Sequence, residues 1–196
     1  MIGALRGRLW LKKPGLIIMD VQGVGYEVFV PASIAAGLPE QGAEVSLHIH
    51  TYVKEDAIKL YGFGSDHEKQ VFGTLLGVNG VGPRLALNIL SAFSGGAFEE
   101  AVMKEDVALL SKVPGIGKKT ASRIILELKQ KLPSIAAEGA RDAAFEDALS
   151  ALVNLGYRKA EAGQAIEKAR QKTEGATAIE GLLKEALKEL TGGGKR

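Results

Sequence analysis

A chain of 196 residues, 46% apolar and 24% charged, has the profile of a folded, soluble protein of one large domain or two to three small ones. It has no cysteine, which excludes disulfides, thiolate chemistry and cysteine zinc sites. The net charge of +2 decides little, but its distribution is uneven: residues 71–132 carry eight basic and five acidic side chains, while 1–63 and 133–196 are each balanced. No run approaches the roughly 18 apolar residues that span a bilayer, and Met1 to Arg6 has no apolar signal-peptide core, so a cytoplasmic location without membrane contact is expected.

The first third reads as β. Leu5 to Leu11 and Leu16 to Val21 are rich in strand formers, Gly23-Val24-Gly25 reads as a turn, and Tyr26 to Val30 continues as a strand. Val45, Leu47 and Ile49 alternate with Ser46, His48 and His50, the two-residue period of a strand with one buried face. Ile58 to Phe63 is a further strand, and five short strands within residues 1–63 suit a small closed barrel of the OB type. Between the last two strands, Glu55 and Asp56 should sit on a solvated hairpin tip. His48 and His50 fall on the polar face, where a solvated histidine is expected, and with His67 they form no metal-ligand grouping.

From Asp66 the pattern turns helical, with short helices broken by glycine pairs until Pro133, so residues 64–133 read as a second domain. Residues 134–144 are rich in alanine and read as a flexible linker. In 145–191, Leu149, Leu152, Val153 and Leu155 form a helical stripe closed by Gly156, followed by helices near 159–172 and 176–190. This is a small three-helix module suited to docking, with Leu183 or Leu187 as candidate exposed contacts. The tail 192–196 should be disordered.

The middle domain repeats itself at a spacing of 35 residues. Leu75-Leu76-Gly77-Val78-Asn79-Gly80-Val81-Gly82-Pro83-Arg84-Leu85-Ala86 aligns with Leu110-Ser111-Lys112-Val113-Pro114-Gly115-Ile116-Gly117-Lys118-Lys119-Thr120-Ala121. In each copy two glycines flank a β-branched residue between two helices, and a cation follows two residues later. Glycine permits positive φ and close approach of another group. The apolar residue between can pin the turn to the core. The next helix then starts with unpaired N–H groups and its positive dipole end outward, which together form an anion site. Pro83 loses nothing at a helix start, and Arg84, Lys118, Lys119 and Arg123 add positive charge. Main-chain grip on a phosphate carries no base information. The pattern is a tandem helix-hairpin-helix. Its expected phosphate-binding residues are Gly80, Val81, Gly82, Arg84, Gly115, Ile116, Gly117, Lys118, Lys119 and Arg123.

Two rivals fall short. A P-loop needs a glycine, four residues, then Gly-Lys-Ser/Thr, but positions 112 and 119 are both lysine. Gly23-Val24-Gly25 lacks the third glycine of a dinucleotide fingerprint. The alternatives that stay open are a metal-dependent nuclease using the same hairpins, and a helical scaffold without DNA binding. No catalytic residue, metal or cofactor is expected.

A barrel, twin hairpins and a tethered helical module together resemble the RuvA family of bacterial Holliday-junction-binding subunits. The resemblance rests on Met1-Ile2-Gly3-Ala4-Leu5-Arg6-Gly7, on both hairpins, on Ile124 to Lys129 and on Ala148-Leu149 through Leu155-Gly156-Tyr157. It implies an α+β multidomain protein, non-catalytic itself, that holds four-way DNA open and square as a homotetramer, with an octamer left open. It further implies recruitment of the RuvB hexameric ATPase through the C-terminal, UBA-like module, and RuvC resolvase as a further partner. Glu55 and Asp56 match the family's acidic pin. Arg84 stands where that family more often has lysine, a change of geometry rather than of charge.

Overall fold

Alternating apolar residues on five strands are hidden together here by a sheet that closes on itself. The computed structural model describes residues 1–93, 96–132, 144–145, 147–172 and 179–192. Strands β1 (Ala4–Lys13), β2 (Leu16–Val21), β3 (Val24–Phe29), β4 (Glu44–Lys54) and β5 (Ala57–Phe63) close in the order β1-β2-β3-β5-β4. The β3–β5 pair is parallel, and the others are antiparallel. Leu9, Ile17, Met19, Val28, Leu47 and Ile49 fill the interior. This is the expected OB-type barrel, and the β3–β5 seam that closes it is two residue pairs long, Val28 with Leu60 and Phe29 with Tyr61.

Details differ from the sequence expectation. The β2–β3 turn is Gln22-Gly23, with φ of 53° and 90°, while Val24 and Gly25 already pair with Val21 and Asp20. Positive φ at both loop positions matches the twist of the flanking strands, so the tighter turn wins. A short helix, α1 (Ala32–Gly37), lies between β3 and β4, packing Ile34 and Ala35 on the barrel. Six residues with three alanines are too few to show a helical period.

Helix α2 (Asp66–Leu76) starts at a capping box made by Ser65 and Glu68. Its Phe72 meets the rings of Tyr61 and Phe63 at 5.0 and 4.9 Å and that of His50 at 5.2 Å. His50 is therefore not on a solvated face. It is half-buried, and burial, helped by Lys69, holds its pKa below the usual histidine value. His48 lies 3.7 Å from Asp66. A second tie joins α1 to α3 (Pro83–Ala92): Ala32 N–H donates to Ser91 Oγ at 2.8 Å. Tyr61 and Phe63 thus belong to the helical core, and barrel and helices form one compact unit, Met1–Ala136.

Three further helices complete this unit: α4 (Ala97–Met103), α5 (Val107–Leu110) and α6 (Lys118–Leu128). His67 on α2 and Glu99 on α4 are 2.7 Å apart, both largely buried. Burial pushes the Glu99 carboxyl up, but hydrogen bonds from His67 and from its own backbone outweigh this, so its pKa is lowered. A depressed folded-state pKa contributes stability above the unfolded carboxylate value, and this is lost as pH falls through the folded value. Melting temperature measured from about pH 7 to about pH 3 should fall less steeply in Glu99→Gln than in the parent, from a lower starting point. Parallel curves would remove Glu99 from the acid response.

The second unit, Ala137–Arg196, packs α7 (residues 147–154), α8 (Lys159–Lys172) and α9 (Ile179–Gly192) around Leu149, Leu152, Ile166 and Leu182. Gly156, at φ 97°, ends α7: Tyr157 N–H bonds Leu152 O and Gly156 N–H bonds Val153 O, a Schellman stop. Three expectations change here. Val153 and Leu155 are 41% and 65% exposed rather than part of the buried stripe, because the helical period puts Ala148, Leu149 and Leu152 inward. Leu183 and Leu187, expected exposed, pack against the core. Ala144, placed by composition in the linker, is helical and buried with that core. The rest of the linker and residues 193–196 of the tail lie outside the described residues, while Gly192 closes α9.

Candidate nucleic-acid interface

The two hairpins have the same hydrogen bonds at positions 35 apart. In the first, Val78, Val81 and Ala86 N–H groups bond the carbonyls of Leu75, Val78 and Gly82. In the second, Val113, Ile116 and Ala121 N–H groups bond those of Leu110, Val113 and Gly117. Val81 and Ile116 are each 5% exposed and sit in the helical core, so the residue between the glycines does anchor its turn.

The two glycines of each pair have different roles. Gly80 and Gly115 take φ of 87° and 93°, where a side chain is strained. Gly82 and Gly117 are extended, at φ −95° and −89°, and cap α3 and α6. A Cβ at either would have no protein atom within 4 Å. Their lack of a side chain therefore serves nothing inside the protein and leaves room for something outside it.

Neither helix receives a side-chain cap, whereas Ser65 caps α2 and Asp106 caps α5. Side-chain oxygens would otherwise satisfy first-turn donors. Here those donors and the positive helix ends face outward beside Arg84, Lys118 and Lys119, all exposed. Such a pair of sites suits two phosphate groups.

Arg123 is placed differently from the three exposed cations. It is half-buried, and its Nη1 donates to both the backbone O and Oδ1 of Asn79 in the first hairpin, each at 3.1 Å. Asn88 on α3 donates from Nδ2 to Pro114 O in the second hairpin at 3.3 Å. Asn79 and Asn88 escaped the sequence reading because an amide gives no motif of its own. The 35-residue alignment, carried to position 88, would have paired Asn88 with Arg123.

Glu55 and Asp56 form the two-residue turn of the β4–β5 hairpin, closed by Lys54 opposite Ala57. Both carboxylates are exposed. The cross-strand pair Val53 and Ile58 is 61% and 70% exposed, so this end of the hairpin leaves the barrel wall without a covered face. This turn and the two glycine hairpins sit on the same compact unit. Among the described residues, no three His, Asp or Glu side chains gather in metal-holding geometry, and no helix is long and apolar enough to cross a membrane.

A closed five-stranded barrel joined to a tandem helix-hairpin-helix domain, with a separate helical unit, defines a multidomain α+β protein of the hairpin-bearing class. Three family models match in the same order: RuvA N terminal domain over residues 1–62, SAM-like helix-hairpin-helix tandem over 72–130, and RuvA, C-terminal domain over 143–191. Similar proteins include a Holliday junction branch migration complex subunit RuvA of Syntrophobacter fumaroxidans, 47% identical over 97% of this chain and 100% of that one. Its counterparts in Geobacter sp. (strain M21) and Thioalkalivibrio sulfidiphilus are 46% and 44% identical, over 97% and 96% of this chain and 99% and 98% of theirs. The chain belongs to the RuvA family.

Proposed function

We propose that this chain binds four-way junction DNA as a homotetramer, holds it open and square, and positions a RuvB-type hexameric ATPase for branch migration in the cytoplasm. The observation that carries the DNA reading is the pair of repeat-related, uncapped helix N-termini, each beside exposed cations and a glycine that faces open space. The grip is on phosphates and is blind to base sequence. The curated relatives are named as junction branch migration subunits, which supports the four-way substrate and a motor partner. RuvC resolvase is a further partner in this reading, on the family resemblance alone. The chain itself is non-catalytic in this reading, and the nuclease alternative finds no carboxylate cluster among the described residues to support it.

A gel-shift series on junction and duplex DNA, with magnesium-dependent cleavage measured alongside, tests this. Junction preference that weakens steeply with salt, without cleavage, is expected. Cleavage, or binding indifferent to salt, would remove the proposal.

Motor docking falls to the second unit, through the apolar surface around Leu155 and Val153. Leu155→Glu should leave junction binding intact and reduce motor stimulation by about tenfold, since a charge cannot be desolvated cheaply in an apolar contact. Unchanged stimulation would move the docking surface elsewhere.

A further inference from the structure

The two hydrogen bonds between the hairpins obey the repeat. Asn79 and Pro114 occupy equivalent positions, and so do Asn88 and Arg123. Arg123, on the helix after the second hairpin, reaches the carbonyl of Asn79 in the first. Asn88, on the helix after the first, reaches the carbonyl of Pro114 in the second. Each hairpin loop is thus held by the other repeat's helix, at the residue just before its left-handed glycine. Leu85, on the first helix, also lies against the second turn, 3.2 Å from where a Cβ on Gly115 would stand.

Building on the reading of the hairpins as phosphate grips, we propose that Asn88 and Arg123 are positioning residues, a crossed pair of braces that sets the spacing and orientation of the two grips. Two phosphate sites act together only when their separation matches that of the phosphates on the DNA. When it is held in advance, the second contact forms at a high effective concentration. Without the braces each loop would adjust separately and the second grip would have to be ordered on binding. Arg123 thereby acts through Asn79, with its guanidinium fork on two oxygens of one residue. A lysine would keep the charge but lose the fork. Asn88 is uncharged, so any effect of replacing it on DNA affinity cannot come from a lost ion pair with a phosphate.

Amide hydrogen exchange on the free full-length chain, with junction binding in parallel, tests the braces through Asn88→Ala and Arg123→Lys. The informative amides are Val81 and Ile116, each hydrogen-bonded within its own turn. Asn88→Ala should speed exchange at Ile116 by about threefold to tenfold and leave Val81 unchanged. Arg123→Lys should do the reverse. Both should weaken junction binding by about tenfold, with little change in the melting temperature or in the slope of affinity against salt. Exchange that rises only at the substituted repeat's own hairpin, or at neither, overturns the crossed brace. Crossed exchange with parental affinity overturns its role in binding. A parent chain without salt-sensitive junction binding shows instead that the hairpin reading has failed, before any variant is compared.

Discussion

Alanine at Gly82 or Gly117 is expected to leave the fold intact and to weaken DNA binding by about tenfold at each position, with both together cutting it about a hundredfold. Both residues are extended, a conformation any amino acid adopts, and a Cβ there meets no protein atom within 4 Å. Only a group approaching from outside would meet it. A methyl in that path pushes the phosphate away from the first-turn N–H groups, which act only at hydrogen-bond range. Loss of a phosphate contact should also flatten the dependence of log affinity on log salt by about one unit per phosphate. Gly80→Ala and Gly115→Ala are the contrasting pair. Their φ of 87° and 93° makes a side chain cost about 1–2 kcal/mol in the folded state, so they should lower the melting temperature first. Folded Gly82→Ala, Gly117→Ala protein that binds DNA like the parent would end the hairpin mechanism.

The second large effect is expected at the pin, and in the opposite direction. Glu55→Gln with Asp56→Asn should tighten binding of plain duplex by about tenfold and so narrow the preference for junctions. Both carboxylates sit on an exposed two-residue turn, and neither is in an ion pair among the described residues. A carboxylate about 4 Å from a phosphate is repelled by roughly 1 kcal/mol even at the dielectric of water. Four copies around the centre of a tetramer would repel strands from that centre and oppose a continuous duplex crossing it. The gain should shrink as salt rises, because screening weakens the repulsion in the parent as well. A double variant with the parental ratio of junction to duplex affinity would leave the pin without a part in selectivity.

The features that could be read in advance were local and periodic. Val45, Leu47 and Ile49 marked the buried face of β4 because side chains alternate strictly along a strand. The hairpins were legible because they are written twice, 35 residues apart, and both copies show the same hydrogen bonds. Gly156 stopped its helix as expected, in the left-handed conformation. The errors were of contact between segments distant in the chain. His50 has a strand position that alternation assigns to solvent, yet Phe72 of α2 covers it. Leu183 and Leu187 fell on a stripe whose inner and outer edges only the neighbouring helices define.

Residue order by itself thus determined the five strands, the turn that carries Glu55 and Asp56, and the twin glycine turns, since backbone sterics and side-chain period act over a few residues. Tertiary structure decided how these parts relate. It made Gly80 and Gly115 the left-handed glycines and left Gly82 and Gly117 facing open space. It tied the barrel to the helices through Phe72, and it turned Arg123 from a free cation into a donor to Asn79. The reason is range: φ preferences and periodicity are properties of neighbours in sequence. A hydrogen bond between residues 44 apart exists only after packing has brought their helices together.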